Sequence, residues 1–141
     1  MNKYLDMLEK SGNSLMIYKE GELLFESALG GIRPHLKAID EHGGALEGTL
    51  MVDKILGRAA AFLVIYSKAA EAITNIVSTP GKQVLDAYHL KFSYREEVLH
   101  IKMKNGVIYC PFESMVQGIY DPEEAYAAIV EKMESFRNPS S

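Results

Sequence analysis

The chain of 141 residues holds a single cysteine, Cys110. One thiol closes no intramolecular disulfide, which suits a reducing compartment. Long hydrophobic runs are missing as well. The longest apolar stretch, "AAAFLVIY", falls far short of the roughly 20 residues of a membrane span. The N-terminal "MNKYLDMLEKSGNS" carries charges where a secretory leader needs an apolar run. Basic excess is absent too: net charge is −4 and the pI about 5.6. No positive field is therefore available to hold duplex nucleic acid, although a single nucleotide stays possible. These absences lead us to expect a cytoplasmic protein with no membrane and no duplex nucleic-acid partner.

No Pro/Gly/Ser-rich linker, internal repeat or low-complexity segment divides the sequence. It reads as one domain, 1–141, with a helix within about 1–12 and a frayed tail at 137–141. At this length folding buries roughly two-thirds of the unfolded surface, enough for a self-sufficient core. The 48% hydrophobic and 24% charged residues match that of ordinary soluble proteins.

Punctuation and periodicity then suggest the elements. "YLDMLEK" is a short amphipathic helix stopped by Ser11-Gly12. "SLMIYKEGELLFES" reads as two strands about Glu20-Gly21, a tight hairpin because glycine tolerates positive φ. In "IRPHLKAIDEHGG" a helix follows Arg33, with Pro34 at its first position and Gly43-Gly44 ending it. "EAITNIVS" is a β-branched, buried strand. "TPGKQVLDAYHL" is a helix with Thr79 as N-cap and Pro80 at N1, followed by a short strand, "KFSY". "VLHIKMKNGVIYC" forms two strand-like pieces about Asn105-Gly106. "DPEEAYAAIVEKMESF" closes the chain as a helix, with Asp121 capping and Glu124 at N3. Strands alternating with helices after a hairpin imply an α/β fold, a mixed sheet with helices on both faces.

"TLMVDKILGRAAAFLVIY" reads as one long helix. At about 100° per residue, Met51, Val52, Ile55, Leu56, Ala59, Ala60, Phe62 and Leu63 share an apolar arc. Leu50, Asp53, Lys54, Gly57, Arg58 and Ala61 fall on the other. That second arc is either a solvated face or a binding face. Gly57 weighs towards binding, because an exposed mid-helix glycine costs ~1 kcal/mol relative to alanine unless something must come close. Lys54 and Arg58, one turn apart, would then meet a phosphate or carboxylate near the helix start.

"CPFE" sets Cys110 as N-cap, Pro111 at N1 and Glu113 at N3, a capping-box spacing with sulfur in place of a hydroxyl. Thiol is a poor acceptor, whereas a thiol at a helix N-terminus has its pKa lowered towards a nucleophilic thiolate. Glu113 would oppose that charge or relay a proton. The alternative is a small buried residue, the usual state of a free cysteine. His35, His42, His89 and His100 are the available partner bases, and spacing places none of them beside the thiol.

Together, "VDKILGRAAAFLVIY", "YCPFESMVQ" and "DPEEAYAAI" resemble an uncharacterised prokaryotic family, a domain of unknown function placed structurally in the cytidine deaminase-like superfamily. The resemblance runs from about Ser14 to Met133. It implies a three-layer α/β/α sandwich opening with the hairpin, and puts the central helix where true deaminases carry a metal-binding His or Cys. Such enzymes need three His/Cys ligands on zinc and a glutamate, from H-x-E and P-C-x-x-C. Here the first position reads Asp53-Lys54-Ile55, and the second falls on Pro80-Gly81-Lys82-Gln83-Val84, without cysteines. Zinc-dependent deamination is thereby excluded, and no cofactor is implied. The resemblance sets Asp53, Lys54, Gly57 and Arg58 where the metal site was, with "CPFE" near the same cleft.

Three functions follow. One is a metal-free module binding a small anionic or nucleotide-like ligand through Asp53, Lys54, Gly57 and Arg58. Another is a metal-independent enzyme with Cys110 as nucleophile and Glu113 or Asp53 as proton carrier. The last is a homodimer or other homo-oligomer formed through the central helix, as deaminase-like folds often are.

Overall fold

A computed structural model describes residues 2–99, 116 and 118–137. The hairpin and helix expected within 100–115, and with them Cys110 and Glu113, lie outside the described residues. Helix α1 spans Lys3–Ser11 and ends on Gly12 at φ 75°. Strands β1, Leu15–Lys19, and β2, Glu22–Ser27, form the expected hairpin. Its turn residues Glu20 and Gly21 both take positive φ, 52° and 83°, the two-residue geometry that matches strand twist. Helix α2, Arg33–His42, and a short 3₁₀ turn, Gly43–Leu46, follow.

The expected long central helix is two elements. Leu50–Leu56 is strand β3, and helix α3 starts only at Arg58 and runs to Tyr66. Asp53 and Lys54 therefore sit on a strand, and Lys54 and Arg58 are not one helical turn apart. The physical reason is the parallel environment: a strand covered on both faces is a continuous apolar run, which periodicity does not separate from a buried helix. Gly57, extended at φ −94° and ψ −170°, is the junction and N-cap.

Strand β4, Glu71–Ser78, and helix α4, Thr79–Ala87, come next. The expected cap moves by one residue: Ser78 accepts from Gly81 N at 3.0 Å, and Thr79 is already helical. Strand β5 is longer than "KFSY", spanning Lys91–Val98. Helix α5, Pro122–Arg137, is capped by Asp121, whose carboxylate accepts from Glu124 N at 2.9 Å, as the sequence suggested.

The five strands form one mixed sheet in the order β2-β1-β3-β4-β5. The β2-β1 and β1-β3 pairs are antiparallel, and the β3-β4 and β4-β5 pairs are parallel. Helix α1 covers one face, where Leu5 and Leu8 pack on Met16, Tyr18, Val52 and Ile73. Arg95 ties α1 down, reaching Asp6 and Glu9 at 2.8 Å each. The other face carries α2 to α5 over the larger core, with Phe62, Leu63, Leu85 and Ile129 against Ile17, Met51 and Ala72.

The starts of α3 and α4 touch backbone to backbone. A Cβ on Gly81 would lie 2.9 Å from the carbonyl carbon and oxygen of Gly57 and from Leu56 O. Only glycine fits, because the opposing atoms are main chain and have no rotamer to yield. Gly81→Ala is expected to destabilise the fold by about 1–3 kcal/mol, the cost of overpacking. Urea unfolding measures it, and stability within ~0.5 kcal/mol of wild type would contradict the contact.

Candidate functional site

Register places side chains in rows across the sheet, since directly paired residues share a face. Phe25, Ile17, Met51, Ala72 and Phe92 form one row on the α2–α5 side, and all belong to the apolar core or pack against it. Two residues nearer the carboxyl ends of β3, β4 and β5, the next row is Ser27, Leu15, Asp53, Thr74 and Tyr94. Four of these five carry a polar group, and Ser27, Asp53 and Thr74 are buried.

Beyond this row the alternation breaks in all three parallel strands. Leu56 and Val77 belong to the same core as Met51 and Ala72, an odd number of residues away. Glu97 likewise turns to α4, accepting from Thr79 Oγ1 at 2.8 Å and pairing with Lys82 at 3.3 Å. The pairs Asp53↔Thr74 and Ile55↔Ile76 flank the step, which falls at Lys54, Asn75 and Arg95. Such a step re-aims side chains where a ladder ends.

Three helices start at this edge. Helices α3 and α4 follow β3 and β4 directly, and α2 follows β2, which runs parallel to β3. From α2, His35 reaches the polar row: its Nε2 lies 2.6 Å from Asp53 Oδ2, with both residues buried. Its other ring nitrogen, Nδ1, is buried and has no hydrogen-bond partner among the described residues. An unsatisfied buried polar atom costs about 1–3 kcal/mol, so it calls for a physical explanation.

Each predicted residue now has a place. Asp53 is the floor of the polar row, paired to His35. Lys54 is exposed at the strand break. Gly57 is buried at the α3 junction. Arg58 is also buried: Nε donates to Val116 O at 2.9 Å and Nη2 to Ile119 O at 2.7 Å. Its guanidinium lies 5.1 Å from the centroids of both Phe62 and Tyr120. These two donors hold the main chain that leads into α5, so Arg58 forms a wall of the site. Asp53, Gly57 and Arg58 thus come from one β3–α3 unit, but they do not converge as one ligand-facing set with Lys54.

Sequence reasoning missed His35 as the partner of Asp53, and it missed the row residues Ser27, Thr74 and Tyr94. Only strand register exposes them. It also missed the rim formed by Thr79, Lys82 and Glu97. Lys82 sits 5.5 Å from the Tyr94 ring centroid. Its pKa is raised by hydrogen bonding to Tyr94 and then to Glu97, while hydrogen bonds from Thr79 and then Lys82 lower that of Glu97.

A depression of about 620 Å³ opens at the opposite edge, lined by Tyr66, Lys68, Glu47, Asp121 and Glu123 among others. It contains none of the predicted residues, and its buried polar side chain, Ser67, already donates to Leu63 O at 2.8 Å. Among the described residues, no group of three or more His, Cys, Asp or Glu is placed to hold a metal. No described helix is long and apolar enough to cross a membrane.

Sheet order, layers and polar edge define an α/β domain with a five-stranded mixed sheet. The family model described as "TM1506: Domain of unknown function (DUF1893)" matches residues 3–133, and the chain belongs to that family. It is similar to the crystal structure of a DUF1893 family protein, TM1506, from Thermotoga maritima. The two share 32% identity at a TM-score of 0.84, over 92% of this chain and 87% of that one. Acinetobacter baumannii RibD is more distantly similar, in form 2 and form 1. Each form is 14% identical at a TM-score of 0.48, covering 58% and 59% of this chain and 28% of that chain. No curated protein sequence matches.

Two expectations test this geometry. Asp53→Ala leaves His35 buried without its partner and should cost about 3–5 kcal/mol, whereas leucine at both positions should recover most of that loss. Urea unfolding of the single and double variants decides; a double variant as unstable as the single would show that the pair itself stabilises the fold. Arg58→Lys removes the two-pronged grip on Val116 and Ile119, each charged hydrogen bond being worth about 1.5–3 kcal/mol. Chymotryptic cleavage after Tyr120 should then quicken by at least about tenfold, because local opening is more populated. An unchanged cleavage rate would mean that α5 packing alone holds the segment.

Proposed function

We propose that this domain is a metal-free binding module that takes a small anionic or nucleotide-like ligand at the carboxyl edge of β3 and β4. The buried row of Ser27, Asp53 and Thr74 carries the reading, because His35 above it has a buried Nδ1 with no hydrogen-bond partner among the described residues. Open α/β sheets bind ligands outside the carboxyl ends of their strands. Helix N-termini present N–H groups and a positive dipole end, both of which favour anions. In this reading Asp53 supplies the floor and Arg58 the wall, Gly57 brings the starts of α3 and α4 together, and Lys54 is an exposed cation outside that ligand-facing set. The domain would then stand as a zinc-free relative of the deaminase-like proteins that its sequence resembles. The alternative enzyme, built on Cys110 and Glu113, falls on residues outside the described ones.

Titrating inorganic sulfate into uniformly ¹⁵N-labelled protein tests the reading. Saturable amide shifts should cluster at the starts of α2, α3 and α4, around Gly31, Gly57 and Gly81. Shifts that are absent, or that scatter over surface lysines such as Lys19, Lys37 and Lys68, would overturn it.

A further inference from the structure

The orphan nitrogen of His35 belongs to a feature that no sequence motif marks, the start of α2. This helix of 10 residues has no side-chain cap: its N-cap position is Ile32. Gly30 and Gly31 precede it, with Gly31 in the left-handed region at φ 63°. A Cβ at Gly31 would meet no atom within 4 Å, so the turn is open. Arg33 extends at the first helical position, exposed, its Nε donating to Gly30 O at 3.2 Å. His35 stands two residues on, only 2% exposed. Side chains on a helix lean towards its N-terminus, which carries this ring towards the glycine turn.

Three anion-favouring features therefore coincide: an uncapped helix start, an exposed guanidinium and a buried imidazole nitrogen with no partner among the described residues. Resting on the binding reading above, we infer that α2 is where the ligand's anionic group docks, held by Arg33 and by His35 Nδ1. A neutral imidazole whose Nε2–H is donated to Asp53 offers a lone pair at Nδ1 and repels an anion. Contact with an anionic oxygen requires Nδ1–H, and the carboxylate of Asp53 on the far nitrogen stabilises the imidazolium that results. Binding is thus coupled to uptake of one proton by His35. Asp53 is a positioning residue that fixes the ring and balances its charge.

Charges on the elements packed against α2 do not replace this partner. The 3₁₀ turn Gly43–Leu46 carries none. On β2, Glu26 bonds Asn13 at 2.7 Å and Glu22 is exposed. On α3, Arg58 is directed to Val116 and Ile119. On α2 itself, Lys37 pairs with Glu41 at 4.0 Å, Asp40 lies a turn beyond His35, and His42 packs edge-on to Phe25.

The sign follows from linkage. A group whose pKa rises on binding gives affinity that is present at low pH and lost as pH increases, by up to about tenfold per unit for one proton. Inorganic sulfate is the probe, because it does not itself titrate near neutrality. Proton uptake by the wild-type protein, measured with an indicator dye in weakly buffered solution, should approach one per sulfate bound. His35→Gln should abolish both the uptake and the pH dependence. Arg33→Ala, an exposed change that spares the core, should weaken binding several-fold while keeping the uptake. If amide shifts map to the helix starts yet no proton is taken up, His35 is not the contact, and the inference fails while the binding reading stands. Absence of saturable sulfate binding overturns both.

Discussion

The contact between Gly57 and Gly81 governs how this protein is built at its polar edge. Two helix starts meet with main-chain atoms 2.9 Å from where a side chain would begin. Helices normally stand 8–10 Å apart, separated by their side chains. Removing that spacer at the first turns brings two positive dipole ends together above the same strands. Their mutual repulsion is tolerable where α4 is capped by Ser78 and where the surroundings accept positive potential. The sheet beneath responds in kind, with Asp53 and Thr74 in place of the aliphatic residues one row below. The parallel strands step at Lys54, Asn75 and Arg95, so apolar Leu56 and Val77 return to the helix side and seal the core above the polar row.

Burial of Asp53 is the costliest element of that arrangement. A buried carboxyl group needs a hydrogen-bond partner, and His35 supplies one from the first turn of α2. A pair of this kind seldom adds stability over well-packed apolar residues, although removing one partner alone is costly. The same logic applies in reverse to Arg58. Its charge is offset by two carbonyls and two aromatic faces, every contact made within the chain, and it holds Val116, Ile119 and Tyr120. Two buried ionisable side chains thus take different parts, Arg58 turned inward to hold structure and His35 with one nitrogen unpaired among the described residues.

Much of the architecture was legible because local chemistry dictated it. Glycine at 12 and 21 marked a helix end and a hairpin, Asp121 marked the start of α5, and the β-branched run at 71–78 marked a strand. The segment 50–66 was not legible in the same way. Leu50–Leu56 is apolar apart from Asp53 and Lys54, Ala59–Tyr66 is apolar throughout, and the helical wheel sorted strand residues onto a face they do not have. Gly57 was the informative residue, read as a close approach inside a helix when it is the junction between strand and helix. It still identified where two backbones meet.

The site was less legible than the fold for a geometric reason. Asp53 was singled out from its own segment, but His35 lies 18 positions away, and Ser27, Thr74 and Tyr94 enter only through pairing across three further strands. Sequence separation hides a row that register creates. A lone histidine on an amphipathic helix carries no signal of its own; what makes His35 informative is that one nitrogen is paired to a buried carboxylate while the other has no partner among the described residues. That asymmetry fixes how the pair responds to its surroundings. The nitrogen held by Asp53 is committed, and the other meets no partner among the described residues. The buried carboxylate therefore fixes the ring of its neighbour at the polar row, between β3 and the first turn of α2.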